Sequence, residues 1–527
     1  MKKRKLLRSQ KKNVNSIQKK IPGKHSEEIK RMLTSASISL RSNQPANVEG
    51  WCRRVLSLDP NNSDAYNLWG LSSASLGRTS LALELIERAL TINSKSPVYN
   101  CNMGIILAQR GQSTAALNYF ERALTADPDN VDVLYNLIEL YEKTNQIKKM
   151  RKYLEHTLRL KPNSYSLKYQ LAKLEYRTGN YNSSRNITSS LLLDEPQHDL
   201  TQKSYHLLAQ ACDRLEKYEE AYNAFERSNK LLAASTLVSN QEAKRLSSLD
   251  LICKLRNEPL CPIINHHPDR TSDITLLPPV FLVGFPRSGT TLTGQLLDSH
   301  SGICTLDEKD TLSRLVNDFF SLEKYSSLFE LQSDTLNNYR NIYTTKIKDL
   351  VGGKMTKGEL IVDKTPLYIC YLEMVQIFFP DAKVIVIHRD PRDVCISNFM
   401  QDFVPTPFMN NFLSLENTVN FYEETMGLYL HNKERLSIPL IEVRYENLLD
   451  NMKNEVTRIL SFLGRDWEGG IENFHKKSRR QHIRTPSYQQ VVQPIYRSSL
   501  GRWKNYQKKL APFLHRLEIF IDAFAYK

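Results

Sequence analysis

The stretch Val280-Phe281-Leu282-Val283, followed by Gly284-Phe285-Pro286-Arg287-Ser288-Gly289-Thr290-Thr291, decides the fold of the C-terminal half. The four apolar residues read as a buried strand, the octet as a glycine-bounded loop, and Thr291 to His300 as the helix that leaves it. That order presents backbone N–H groups and the positive end of a helix dipole to an anion. In loops of this kind that bind nucleoside triphosphates, Lys and then Ser or Thr follow the second glycine, the lysine reaching the terminal phosphates and the hydroxyl holding magnesium. Here Thr290 stands in the lysine position. The loop is therefore expected to bind a phosphate-like group while lacking the usual means of handling a terminal phosphoryl on magnesium.

Working outward toward the C-terminus, short apolar runs at 360–362, 384–387 and 440–443 alternate with helical patterns near 367–378, 391–401, 413–431 and 446–463. Such alternation predicts a P-loop-type α/β domain with a parallel sheet and a binding site outside the carboxyl ends of its strands. The octet, Asp363-Lys364-Thr365-Pro366 and His388-Arg389-Asp390-Pro391-Arg392 each follow a strand, so they are expected to converge. Arg389 offers fixed-charge, planar donors, and Ser397 lies about two helical turns beyond it. A second anion site there, separate from the loop, suits a nucleotide with phosphate at both ends of its ribose. Read without the loop, Arg389, Asp390, Arg392 and Asp393 would be a surface ion-pair cluster at a helix start. Ile387 is followed by His388-Arg389 and not by an acid, which argues against a magnesium-dependent kinase.

Working toward the N-terminus, Asp59-Pro60, Asn93-Ser94, Asp127-Pro128, Lys161-Pro162 and Glu195-Pro196 recur at a period of 34 residues. Between them Gly70 and Gly104 allow close helix approach, while Ala82, Ala116, Ala89, Ala123 and Phe120 fill the contacts of a tetratricopeptide pattern. Six helix hairpins are expected between about residues 27 and 235, followed by a capping helix near 236–256, so that the array spans 27–256. Each buries its apolar face against its neighbours to form an α-solenoid with a concave groove for a peptide or protein. A rigid spacer or a dimerisation element is the alternative use of such an array.

The formal charge of +15 is concentrated at the start, where ten Lys or Arg and no acid occupy the first twenty-four residues. Residues 1–26 read as a disordered basic tail with no specific nucleic-acid role. No apolar core follows it as a secretory signal would require, and no run of about 18 apolar residues occurs, so no transmembrane segment is expected. The eight cysteines are scattered without Cys-x-x-Cys or zinc spacing, which suits reduced thiols and a cytoplasmic location and predicts no metal.

The loop, Arg389, Ser397 and their spacing resemble the sulfotransferases over roughly 278–520, and within them the tyrosylprotein branch. Joined to tetratricopeptide repeats, the chain is similar to bacterial two-domain proteins of this type. The resemblance implies 3′-phosphoadenosine 5′-phosphosulfate as cosubstrate. It implies Arg287, Ser288, Gly289, Thr290 and Thr291 around the 5′-phosphosulfate, Arg389 and Ser397 at the 3′-phosphate, and Tyr445 and Arg502 as further donor contacts. Glu308, twenty-one residues after Arg287, matches the family's catalytic base, and Lys364 and Ser487 match the residues that stabilise charge on the transferred group. The interval from Pro494 to Trp503 supports the register of Ser487. Alone, Glu308 would read as a solvent-facing residue of an acidic loop, and Lys364 as a surface lysine. Arg314 matches an acceptor contact, whereas Asp310 replaces a peptide-gripping arginine, Gln401 replaces a second 3′-phosphate arginine, and Val362 replaces a cysteine.

These observations lead us to expect a basic tail (1–26), a repeat superhelix (27–256), a linker (257–279) and a sulfotransferase domain (280–527). The expected reaction is sulfuryl transfer to an acceptor hydroxyl, with protein tyrosine foremost and the repeat groove holding the acceptor protein. Carbohydrate or small-molecule acceptors and a non-catalytic repeat scaffold are the alternatives, and an oligomer is left open.

Overall fold

The structure, a computed structural model, describes residues 25–42, 44–194, 198–257, 277–319, 328, 330–352, 358–474, 497 and 499–527. Most of the expected basic tail (1–24 of 1–26) and most of the expected linker therefore lie outside the described residues. The chain divides into two compact units, 1–211 and 212–527.

The first unit is built from helix hairpins. Helices α1 (Ser26–Arg41) and α2 (Pro45–Leu58) form the first, followed by α3 (Ser63–Ser75) with α4 (Thr79–Ile92) and α5 (Pro97–Gln109) with α6 (Ser113–Ala126). Next come α7 (Val131–Lys143) with α8 (Ile147–Leu160) and α9 (Tyr165–Arg177) with α10 (Tyr181–Asp194); in chain order the sixth hairpin is α11 (Thr201–Arg214), which crosses the boundary at 211, and α12 (Tyr218–Ala233), which belongs to the second unit. The 34-residue marks fall at helix ends, where Asp59, Asn93 and Asp127 close α2, α4 and α6 three residues before the cap of the next helix. Asn62, Ser96 and Asn130 cap α3, α5 and α7, accepting the backbone N–H of Ala65, Tyr99 and Val133 at 3.0, 3.3 and 3.2 Å. The repeat glycines are steric necessities: a Cβ on Gly70 would lie 2.6 Å from Ile86 Cγ1, and one on Gly104 would lie 2.7 Å from the Phe120 ring. Among the described residues, no helix is long and apolar enough to cross a membrane.

The second unit centres on five parallel strands: β1 (Val280–Gly284), β2 (Ile303–Asp307), β3 (Leu360–Lys364), β4 (Lys383–His388) and β5 (Leu440–Arg444), in the order β2-β3-β1-β4-β5. All of β1 and β3 is buried, as expected of central strands covered on both faces. Strand β2 was not legible in the pattern: Cys304 and Thr305 interrupt it, and it lies at the sheet edge, only partly buried. Helix α13 (Glu242–Asn257) and α12 pack against this unit's α/β elements. Arg245 Nη1 donates to Asn411 Oδ1 at 2.8 Å, and Arg256 pairs with Glu424 at 3.3 Å. The helices that position the site are α14 (Thr290–Asp298), α15 (Pro391–Phe399), α16 (Leu415–Lys433), α17 (Tyr445–Asp450) and α18 (Met452–Leu463). Side chains of α14, α17 and α18 form one apolar cluster with Val280, Leu282, Val362, Ile385 and Val443.

Candidate functional site

Parallel strands all end on one edge of the sheet, so their following residues meet there. Strand β1 delivers the octet, β2 delivers Glu308, β3 ends on Lys364, β4 precedes Arg389 and β5 precedes Tyr445. Gly289 is the residue that starts α14, at φ +110°; a Cβ there would overlap the Tyr445 ring, with Cε2 at 3.0 Å. A Cβ on Gly284 would lie 2.6 Å from the Ile387 carbonyl oxygen. Arg287 also takes a left-handed conformation, at φ +69°, which residues other than glycine seldom adopt. The first-turn N–H groups of α14 have no partner within the helix and open onto this loop.

Arg287 Nε donates to Ser397 Oγ at 3.2 Å, and the Arg287 carbonyl accepts from Arg389 Nη1 at 3.1 Å. Residues expected to serve two ends of one nucleotide are therefore joined directly. Arg389 is buried, 5.1 Å from the Tyr445 ring centroid, and its Nη2 donates to the Ser499 carbonyl at 2.5 Å. Asp393 lies 3.6 Å from Arg389 and accepts the backbone N–H of Gly501 and Trp503 at 2.8 and 2.9 Å. Burial raises the Asp393 carboxyl above the usual carboxylate range, against the pull of Arg389 and the two N–H groups. Arg392 turns elsewhere, making two side-chain bonds to Asp390 and lying 4.1 Å from the Trp503 ring centroid. Ser288 Oγ and Arg389 Nε are buried donors with no protein acceptor. Together with the glycine cradle, they fit the anionic ends of a nucleotide.

Across β1 and β3, Lys364 is 1% exposed and forms ion pairs with Asp307, its register neighbour on β2, and with Glu308 Oε1 at 2.9 Å. Its Nζ lies 3.5 Å from Thr291 Oγ1, so one ammonium spans the loop helix and the carboxylates. Glu308 has φ +48° and donates its backbone N–H to the Lys364 carbonyl at 2.8 Å, while its side chain stays 42% exposed. A supporting network was missed in the sequence. Thr311 Oγ1 and Tyr343 Oη donate to buried Asp363 at 2.5 and 3.3 Å, and Tyr368 Oη accepts the N–H groups of Thr311 and Leu312 at 3.1 and 3.0 Å. Burial pushes the Asp363 carboxyl up to about 7. Strand alternation was the available signal, because it turns Asp363 away from the face that carries Lys364.

The other expected contacts have other partners. Arg314, an exposed side chain, pairs through Nε with Asp318 at 2.7 Å, and Arg502 Nη2 pairs with Asp213 at 2.8 Å. Ser487 lies outside the described residues.

The fold and site define an α/β domain with a lysine-free anion loop at the strand ends, in a chain that begins with helical repeats. Residues 278–469 match the model of the sulfotransferase family, and 107–156 and 202–231 match models of the tetratricopeptide repeat. The chain thus joins a tetratricopeptide-repeat region to a sulfotransferase-family domain. It is similar to an uncharacterised protein of Aquifex aeolicus, 28% identical over 250 residues, or 46% of this chain and 32% of the relative. It is also similar to protein-tyrosine sulfotransferase A of Caenorhabditis elegans, 24% identical over 43% of this chain and 61% of the relative. The protein-tyrosine sulfotransferase of Drosophila melanogaster is 23% identical over 43% of this chain and 47% of the relative. The chain spans between about a third and three fifths of the length of these relatives.

Proposed function

We propose that the C-terminal unit transfers a sulfuryl group from 3′-phosphoadenosine 5′-phosphosulfate to a hydroxyl, and that the repeats recruit a protein acceptor. The observation that carries this reading is the meeting, at one sheet edge, of the lysine-free loop, the Arg287–Ser397–Arg389 cluster and the Lys364–Glu308 pair. The donor would supply an electrophilic sulfuryl group and a bisphosphate leaving group. Arg287, Ser288, Gly289, Thr290 and Thr291 would hold its 5′ end, Arg389 and Ser397 its 3′-phosphate, and Tyr445 would line the nucleotide site. Glu308, exposed enough to meet an acceptor, would take the hydroxyl proton. A phenol with pKa near 10 is mostly neutral and must lose that proton as it attacks. Protonating Glu308 removes one of the two carboxylates that balance Lys364, so that with only Asp307 still paired more of the ammonium's charge would offset charge that builds on the donor oxygens. Ser487 is assigned to the same task by resemblance. The names of the worm and fly relatives support tyrosine as the acceptor. An acidic peptide would have to compete with Asp318 for Arg314.

The test is thermal unfolding of the full chain with adenosine 3′,5′-bisphosphate and, separately, with ADP and magnesium. Bisphosphate at about 100 times its dissociation constant should stabilise the protein by roughly 2.7 kcal/mol. A response only to ADP with magnesium would replace this reading with phosphoryl chemistry, and no response to either would leave a repeat scaffold. Sulfate incorporation into glycan with none into tyrosine peptide would overturn the acceptor assignment alone.

A further inference from the structure

Two residues of the sixth hairpin reach the elements that form the candidate donor site. Asp213, near the end of α11, accepts from Tyr506 Oη at 2.6 Å and pairs with Arg502 Nη2 at 2.8 Å. Both partners belong to Arg502–Tyr506, a 3-10 turn too short to hold its own position. The opposite side of the same segment is fastened to the site: Asp393 takes the N–H groups of Gly501 and Trp503, Arg389 donates to the Ser499 carbonyl, and Tyr445 Oη lies 3.3 Å from Ser499 Oγ. The segment is thus a strap held on one side by Asp213 and on the other by Arg389 and Asp393.

A second, independent link runs through α12. Asn229, 4% exposed, donates its Nδ2 to the Phe399 carbonyl at 2.9 Å, and the Tyr222 ring stacks on Phe399 with centroids 5.0 Å apart. Phe399 closes α15, where a helix leaves its last carbonyls unpaired, so Asn229 satisfies one of them. The preceding residue, Asn398, donates to the Pro286 carbonyl inside the octet at 2.8 Å, and Ser397 on the same turn accepts from Arg287.

We propose that Asp213 and Asn229 are positioning residues of the donor site, so that the end of the repeat array is a working part of the transferase and not only a recruiting arm. The proposal rests on the donor reading given above. Without Asp213, the Arg502 guanidinium and Tyr506 hydroxyl lose a shared carboxylate. The strap is then free to shift, and the backbone carbonyl that fixes Arg389 shifts with it. Without Asn229, the end of α15 loses a buried hydrogen bond beside the residues that touch the loop.

The experiment is calorimetric titration of the full-length chain with adenosine 3′,5′-bisphosphate, comparing wild type with Asp213→Asn, Tyr506→Phe and Asn229→Ala. A positioning role predicts a dissociation constant raised about tenfold or more for Asp213→Asn, with less for Tyr506→Phe and Asn229→Ala, and unchanged stoichiometry. A merely structural role would lower the stoichiometry, as protein unfolds, without moving the constant; that result would overturn the proposal. So would wild-type affinity in all three variants. Should Asp213→Asn fail to fold, Tyr506→Phe, which keeps the ring, and Asn229→Ala decide the matter. Failure of the wild type to bind bisphosphate would instead sink the donor reading, and this inference with it.

Discussion

Gly289→Ala adds one methyl group where the loop enters α14, and the structure allows its effect to be worked out. The backbone there is left-handed, φ +110°, so an L side chain costs about 1–2 kcal/mol before it meets anything. The new Cβ also meets the Tyr445 ring, with Cε2 at 3.0 Å and Cγ at 3.2 Å; overpacking of this kind costs about 1–3 kcal/mol. If the combined roughly 2–5 kcal/mol falls on the anion-binding form of the loop, affinity for adenosine 3′,5′-bisphosphate drops about 30-fold or more. Gly464→Ala is the control, since it too has positive φ, +73°, but its Cβ would meet nothing within 4 Å. It should lower stability slightly and leave the dissociation constant alone. Calorimetric titration measures both variants, and the double variant Gly289→Ala/Tyr445→Ala should lose less than the sum of the singles because the ring contact is gone. An affinity for Gly289→Ala within about threefold of wild type, or an equal loss for Gly464→Ala, would refute the packing argument.

Glu308→Gln keeps the shape of the side chain and removes its capacity to take a proton. Turnover should fall about 10²–10⁴-fold while bisphosphate affinity stays near wild type; parallel loss of both would reject its role as base. Asp363 predicts a pH effect on stability. Its carboxyl stands at about 7 when folded, against 3.8 unfolded, so the native state holds the extra proton. Its contribution is fully present below about 3.8 and is lost as pH rises toward about 7. Urea unfolding at several pH values across that window should show a shallower decline for Asp363→Asn than for wild type, and identical slopes would refute the assignment.

Much of the architecture was legible because it is local. The 34-residue marks fall at helix ends, three residues before the capped starts at Asn62, Ser96 and Asn130, and four of the five strands fall on apolar β-branched runs. Strand β2 escaped because an edge strand with Cys304 and Thr305 carries no continuous apolar signal, although it is the strand that delivers Glu308. The resemblance pointed to Glu308 and Lys364, but it did not imply that Lys364 would be 1% exposed and tied to Asp307 as well. Arg502, which the resemblance matches to a donor contact, pairs with Asp213, 289 residues earlier in the chain.

The sequence by itself determined a tetratricopeptide-repeat region, an α/β domain and a lysine-free, glycine-bounded loop, because periodicity, glycine placement and β-branched runs act over a few residues. The tertiary structure alone decided which distant side chains share a site. It joined Arg287 to Ser397 across 110 residues, set Arg389 against Ser499, and brought Asp213 and Asn229 to the elements around the loop. Those pairings depend on strand order, on the bond from Asn229 of α12 to the end of α15, and on burial that leaves polar groups only other protein groups to meet. None of these is written in any local stretch of the chain.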